Sequence, residues 1–200
     1  MIKQIPFPNK KYQIIYADPP WRFKNWSMSE LAKRGEKWAR RYGRSPYNVM
    51  DDEAIYSLPV KEITDKNCIL FLWATYPKLP EAIETIKRWG FTYKTVAFTW
   101  IKQNKKSGWH FGLGYWTRGN PEICLLATKG KPKRKSKFVS NLTIDAMQGH
   151  SQKPHIIREK IVELMGDLPR IELFGRHEIK KWDSWGNEEL REAYIQDKII

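Results

Sequence analysis

The sequence predicts an α/β fold with a mainly parallel sheet flanked by helices. Two observations carry this reading. Short apolar runs bounded by turn residues alternate with amphipathic stretches along 200 residues, the pattern of strands and helices taken in turn. The apolar runs are rich in Ile, Leu, Val and aromatics with little polar alternation, as strands covered on both faces are.

Five strands are expected: Tyr12 to Ala17, Cys68 to Trp73, Thr95 to Ile101, Glu122 to Thr128, and Arg170 to Phe174. Each is short, apolar and closed by turn residues. A helix is expected over Pro80 to Trp89, with Pro at its start and Gly90 just past its end. Leu79, Ile83, Ile86 and Trp89 recur at helical spacing along it. A second helix, Pro154 to Met165, repeats that punctuation, with Ser151 as cap, Gly166 as stop, and Ile157, Ile161, Leu164 and Met165 as its apolar face. Residues 188–200 read as a terminal helix, Glu188 to Tyr194, followed by a polar tail that is free to pack on the domain or on a twin in a homodimer. No internal repeat is visible, and the length fits one domain spanning 1–200.

Composition narrows the partner. Thirty-six Lys and Arg against twenty-two Asp and Glu leave a formal charge of +14, which favours a polyanion. Ten Trp, nine Tyr and eight Phe exceed what a core of this size needs, and flat side chains beside cations suit unstacked bases. The opening residues have no apolar leader, and no run approaches eighteen apolar residues, so a cytoplasmic protein without membrane contact is expected. Cys68 and Cys124 lie in strand-like runs, where thiols act as small buried hydrophobes, and no disulfide is expected. The four histidines, at 110, 150, 155 and 177, lack the spacing of metal ligands, so no metal site is expected.

Three basic stretches interrupt the rhythm, at 22–50, 102–119 and 129–137, and are candidate nucleic-acid-binding insertions. The first holds eight cations against two Glu; Arg22, Lys24, Trp26, Arg40, Arg41 and Tyr47 are its candidate contacts. The second has no acid and four glycines; Lys105, Lys106, Trp109, Trp116 and Arg118 are its candidates, with Phe111 beside them. The third, from Lys129 to Lys137, is nearly pure charge. A solvated tip and a phosphate contact both remain open for it.

The chemical centre is the join between the first strand and the first basic stretch, Gln13-Ile14-Ile15-Tyr16-Ala17 running into Asp18-Pro19-Pro20-Trp21. In open parallel sheets, ligands bind beyond the carboxyl ends of strands. One reading of the tetrapeptide is a plain turn, with Trp21 covering the edge of the core. The other is catalytic, and a resemblance supports it. Tyr16-Ala17-Asp18-Pro19-Pro20-Trp21 resembles the catalytic motif of the adenine-N6 methyltransferase family that includes the catalytic subunit of the eukaryotic messenger-RNA methyltransferase and many small bacterial and phage enzymes. Leu70-Phe71-Leu72-Trp73 is similar to the family's next core strand, and Trp116-Thr117-Arg118-Gly119-Asn120-Pro121-Glu122 with Ala127-Thr128-Lys129-Gly130 to a later one. His150-Ser151-Gln152-Lys153-Pro154 is similar to the turn entering the next helix. Glu172-Leu173-Phe174-Gly175-Arg176, then Trp182-Asp183-Ser184-Trp185-Gly186-Asn187-Glu188, resembles the closing signature of the bacterial and phage branch.

The resemblance covers nearly the whole chain and implies a Rossmann-like S-adenosylmethionine-dependent methyltransferase fold in permuted order, with the cofactor-binding strand late. The permutation accounts for the missing phosphate-cradling glycine loop after the first strand. It implies methyl transfer to adenine N6, in DNA by likeness to the bacterial and phage branch. An RNA target and a non-catalytic nucleic-acid-binding subunit stand as alternatives.

The residue chemistry fits. An adenine amine is a poor nucleophile until acceptors draw it toward a tetrahedral shape, and the Asp18 carboxylate with the Pro19 carbonyl offers two acceptors. Pro19 and Pro20 add rigidity without competing N–H donors. Trp21 is expected to stack on a flipped base. Around the cofactor the resemblance places Asp18, Glu172, Phe174 and Arg176, Lys153 toward its carboxylate, Asn187 toward ribose hydroxyls, and His177, for which a plain surface position is an equal alternative. Glu172 also has a bland reading, as a charge alternating outward on an edge strand.

Overall fold

The computed structural model describes residues 6–23, 49–114, 116–147, 152–175 and 178–186. Seven described strands form one sheet: β1 (Tyr12–Ala17), β2 (Thr64–Ala74), β3 (Thr92–Gln103), β4 (Glu122–Lys129), β5 (Leu142–Ala146), β6 (Arg170–Leu173) and β7 (Asp183–Trp185), in spatial order β5-β3-β4-β2-β1-β6-β7. All neighbouring pairs are parallel except the two that involve β4. The sheet is therefore mainly parallel, as the sequence predicts, with one reversed strand in its middle.

The five expected strands are all present, several longer than the apolar runs alone indicate. β5 and β7 escape the sequence pattern for physical reasons. β5 is an edge strand whose Leu142 and Ile144 are half exposed while Thr143 is buried, so its apolar residues do not mark an inner face. β7 is three residues long and begins Asp-Ser. Two short helices, α1 (Asp52–Tyr56) and α2 (Val60–Ile63), also carry too few residues for a periodic signal.

The two longer helices lie where expected. α3 (Leu79–Arg88) ends where Gly90 takes a left-handed φ of 81° and returns its N–H to Lys87 O, the usual glycine stop. Its buried face is Ala82, Thr85 and Ile86, continued by Trp89, whereas Leu79 and Ile83 are over a third exposed. The expected stripe is thus rotated toward Ala82 and Thr85 while Ile86 and Trp89 stay on it, Trp89 donating its indole N–H to Ile55 O at 2.9 Å. α4 (Ile156–Met165) starts a few residues after Pro154, from His155, and buries Ile157, Ile161 and Met165. The expected cap Ser151 and the terminal helix Glu188 to Tyr194 lie outside the described residues.

Each face of the sheet has its own core. Because successive strand side chains alternate, Ile15 and Ala17 of β1 join the cluster under α1, α2 and α3, while Ile14 and Tyr16 join the cluster under α4. This double coverage is why the β1 and β2 runs read as continuously apolar. Cys68 and Cys124 are buried free thiols, and burial pushes the Cys68 thiol up to about 12. Among the described residues, no helix is long and apolar enough to cross a membrane.

Candidate active site

The alternation that sorts β1 into two faces also delivers its next residue. Ile14, Tyr16 and then Asp18 point to the α4 face, so Asp18 emerges from the carboxyl end of β1 toward the segment that leads into α4. There Lys153 Nζ lies 2.7 Å from Asp18 Oδ2 and 3.2 Å from Glu122 Oε2. Glu122 opens β4, which runs opposite to β1, so its first residue arrives at the edge where β1 ends. Glu122 is also paired with Lys102 near the end of β3. The result is a row of alternating charge across one edge of the sheet: Lys102, Glu122, Lys153, Asp18.

The row is largely shielded from water. The side chain of Lys153 is 8% exposed, Glu122 13%, and Asp18 23%, so Asp18 is its most open member. Lys153 lies over the Trp73 ring and Lys102 over the Trp100 ring, at 5.4 and 5.2 Å from the centroids, where the negative ring faces add attraction. Burial works against the charge on Lys153, yet the Asp18 and Glu122 carboxylates outweigh it and hold the ammonium above the ordinary lysine value. Burial likewise works against the Glu122 anion, and Lys153 with Lys102 still holds it below the ordinary carboxylate value. A cation flanked by two carboxylates in a dry site stays charged through any working pH.

The Asp18-Pro19-Pro20-Trp21 segment is a fixed loop. Trp21 N–H returns to Pro19 O at 2.8 Å, a three-residue turn that holds that carbonyl in place with one lone pair already engaged. Met50 N–H binds Pro20 O at 2.9 Å, so the first basic stretch begins and ends beside this loop. The structure corrects the reading of Trp21 as a base-stacking platform. Trp21 is 4% exposed, packed in the cluster under α1 to α3, with its indole N–H donated to Trp73 O at 3.1 Å. Its large apolar ring gains more from the core than from the edge, and it anchors the loop that presents Asp18.

At the end of β6, Glu172 is buried and held by Arg158 of α4 through two bonds of 2.7 Å. This bidentate pair answers the cost of an acid inside a strand. Glu172 therefore does not alternate outward to solvent. Tyr16 sits beside it in register, its hydroxyl accepting from Trp73 Nε1 at 2.7 Å. Phe174, the residue after β6, takes a φ of 64°, a conformation costly for an aromatic residue and typical of positions where the backbone must turn sharply at a site. Its N–H bonds Trp185 O, and its ring meets Trp185 edge-on. A Cβ on Gly186 would come within 2.7 Å of Gly175 O, so the tips of β6 and β7 close on each other through glycine backbone. Arg176, His177 and Asn187 lie outside the described residues.

The stretch from β3 to β4 surrounds the same edge. Asn120 clamps its base: its Oδ1 accepts from Lys102 N–H, and its Nδ2 donates to Lys102 O and His110 O. Beyond the clamp, Trp109 is 58% exposed, Phe111 79% and Trp116 100%. Arg118 covers the Phe111 ring at 6.0 Å, and Lys105 and Lys106 are exposed. Arg22 is exposed too, paired with Asp51 at 2.8 Å. Lys24, Trp26, Arg40, Arg41 and Tyr47 lie outside the described residues. The third basic stretch, 129–137, leaves the far end of β4 and is not at this edge.

The arrangement is a carboxylate at a strand tip, a buried lysine beside it, and exposed aromatics with cations around it. The MT-A70 family profile matches residues 12–188 of this chain. The chain belongs to the MT-A70 family. The match spans β1 through β7 and therefore includes Asp18, Glu122 and Lys153. Among its relatives, a protein from Mycoplasma sp named Type II methyltransferase M.MunI is 35% identical over 190 residues, covering 90% of this chain and 79% of that protein. The human protein named N(6)-adenine-specific methyltransferase METTL4 is 22% identical over 213 residues, covering 93% of this chain and 39% of that protein.

Two residues of the row, Glu122 and Lys102, are absent from the candidates read in the sequence. The period of two that gives Asp18 its face gives them theirs. Glu122 precedes Cys124, and Lys102 follows Trp100, both on the α4 side. Extending the strand alternation by one step at each tip is the signal that finds them.

Proposed function

We propose that the chain transfers a methyl group from S-adenosylmethionine to the N6 amino group of adenine in DNA. The observation that carries this is the ion pair of Asp18 and Lys153 at the carboxyl end of β1, inside an MT-A70 chain related to a Type II methyltransferase and to an N(6)-adenine-specific methyltransferase.

The donor set fits the cofactor. A carboxylate and an ammonium 2.7 Å apart complement the ammonium and carboxylate of an amino-acid zwitterion, which is the polar end of S-adenosylmethionine. Lys153 would hold the cofactor's carboxylate, and Phe174, just past β6, would adjoin it. Arg176, His177 and Asn187 are proposed on the family resemblance alone. When bound, S-adenosylmethionine supplies an electrophilic methyl group on a sulfonium centre.

The chain's own residues then prepare the nucleophile. Asp18 accepts one N–H of the adenine amine, and the remaining lone pair of the Pro19 carbonyl accepts the other, so the nitrogen lone pair is freed from the ring and aimed outward. Methylation requires one amine proton to leave, and Asp18, the acceptor of that N–H, is the group placed to take it. Lys153 and Glu122 fix the carboxylate's direction. Because Trp21 is occupied in the core, stacking of the extruded base falls to the exposed aromatics of 102–119, with Trp109 and Trp116 foremost.

The test is incubation of the protein with labelled S-adenosylmethionine and duplex DNA, with RNA in a parallel reaction, followed by digestion to nucleosides. Label in N6-methyladenine from DNA supports the proposal. Label only from RNA transfers the reading to that substrate, and no methyladenine from either overturns it.

A further inference from the structure

The direction of β4 separates the third basic stretch from the other two. β4 runs antiparallel to β2, with Lys129 paired to Cys68, while Ile69 pairs with Ile14 of β1. Lys129 therefore lies level with about residue 13, five residues below Asp18, or roughly 17 Å at about 3.3 Å per residue. Residues 131–137 continue from there toward the carboxyl end of α4, on the edge of the sheet opposite the candidate active site.

This stretch is held in place although it has no helix or strand. Lys131 N–H binds Asn67 Oδ1, and the N–H groups of Lys135 and Ser136 both bind Leu164 O in the last turn of α4. Gly130 makes the entry possible at a φ of 66°, where its backbone passes directly against Lys66 O. Pro132 fixes a further φ. On this frame stand Lys131, Lys133, Arg134, Lys135 and Lys137, all exposed.

None of these five has an ion-pair partner among the described residues. The first acid after α4 in the chain, Asp167, is already shared between Arg170 and Lys181. Five like charges on one pinned loop repel one another, an arrangement that costs stability and gains nothing inside this fold. Phe138, next in sequence, is 92% exposed.

We propose that residues 131–137 form a second nucleic-acid site, remote from the catalytic edge, that holds the phosphate backbone of duplex DNA without reading its sequence. Cations on a loop already ordered lose little freedom on binding, and each phosphate neutralised releases counterions. Its exposed side chains are cations with Phe138 alone beside them, so charge is its main complementarity, and DNA is the polyanion on which the chain is proposed to act. That last step rests on the function proposed above. The site anchors the enzyme to DNA while the opposite edge samples adenines, so it acts on affinity and KM and leaves the chemical step alone.

The test compares the full chain with its variant Lys131→Gln/Lys133→Gln/Arg134→Gln/Lys135→Gln/Lys137→Gln. Fluorescence anisotropy with a random-sequence duplex is read from about 50 to 200 mM salt. The variant is expected to bind at least tenfold more weakly at the low-salt end. Its slope of log Kd against log salt should be reduced by roughly 3 to 4.5, at about 0.9 for each phosphate that is no longer neutralised. Its kcat at saturating DNA should match the parent while KM rises. The smaller variant Lys133→Gln/Arg134→Gln carries the same test if the larger one does not fold.

An unchanged slope overturns the proposal, as does loop-dependent binding of poly-glutamate without any change in DNA affinity, which would mark an acidic protein partner. The two readings fail separately. A loop-dependent slope in a protein that methylates nothing keeps this site and removes the enzyme, whereas methylation with a loop-independent slope does the reverse.

Discussion

Lys153 Nζ sits 2.7 Å from Asp18 Oδ2 although the two residues are 135 apart in the chain. The contact joins the tip of β1 to the entry of α4, and Glu122 completes it from β4 at 3.2 Å. A lysine this enclosed carries a desolvation cost that its two carboxylates chiefly offset. Stability therefore depends on the same three side chains to which the proposed function assigns the substrate geometry.

Replacing Lys153 by Met leaves Asp18 and Glu122 facing each other without their shared cation. The expected loss is about 3 kcal/mol, the lower end of the range for breaking a buried pair, since Asp18 is partly exposed and Lys102 still serves Glu122. Urea unfolding measures it. The double variant Asp18→Asn/Lys153→Met should recover part of the loss, and a single variant as stable as the parent would show that the row is not formed.

Trp21→Phe removes the indole donor to Trp73 O but keeps an apolar ring, and is expected to cost about 1–3 kcal/mol for the buried carbonyl left unserved. Trp21→Ala should cost about 3–5 kcal/mol through the cavity it opens. Thermal unfolding without DNA is the readout. Unchanged stability together with weakened DNA binding would return Trp21 to the base-stacking role.

Trp116→Ala makes the opposite prediction. Its ring is fully exposed, so folding stability should not change. Affinity for DNA should fall by about 1–3 kcal/mol, the usual worth of one base-stacking aromatic. Titration of parent and variant with the same duplex decides it.

Glu122 gives the molecule an acid sensitivity whose sign follows from the direction of its shift. Burial opposes its anion, but Lys153 and Lys102 together hold the folded carboxyl below its ordinary value of 4.5. Its contribution is then full above that value and disappears as pH falls through the lower, folded one. Between about pH 5 and pH 3 the parent should lose stability more steeply than Glu122→Gln. Parallel stability curves over that interval would contradict the pairing.

Much of the fold and the site is legible in the sequence, and what is not has identifiable causes. β1 is covered on both faces, so its apolar run marks a strand, and the Asp-Pro-Pro-Trp loop at its end marks the candidate site. The run from Glu122 to Thr128 also reads as a strand, but nothing local encodes its direction. That direction brings Glu122 to Asp18 and sends Lys131 to Lys137 to the opposite edge. Trp21 has the composition of a stacking platform, and only the three-dimensional path of the loop shows its ring turned into the core. Leu142 to Ala146 hides because an edge strand does not need an apolar inner face.

The most direct measurement is single-turnover methyl transfer to duplex DNA by the parent and by Asp18→Asn, with folding of both verified by circular dichroism. N6-methyladenine is expected from the parent, and a rate at least about a hundredfold lower from the variant, which keeps the shape but loses the charge that draws on the amine. A folded variant that methylates adenine at the parental rate would contradict the role given to Asp18.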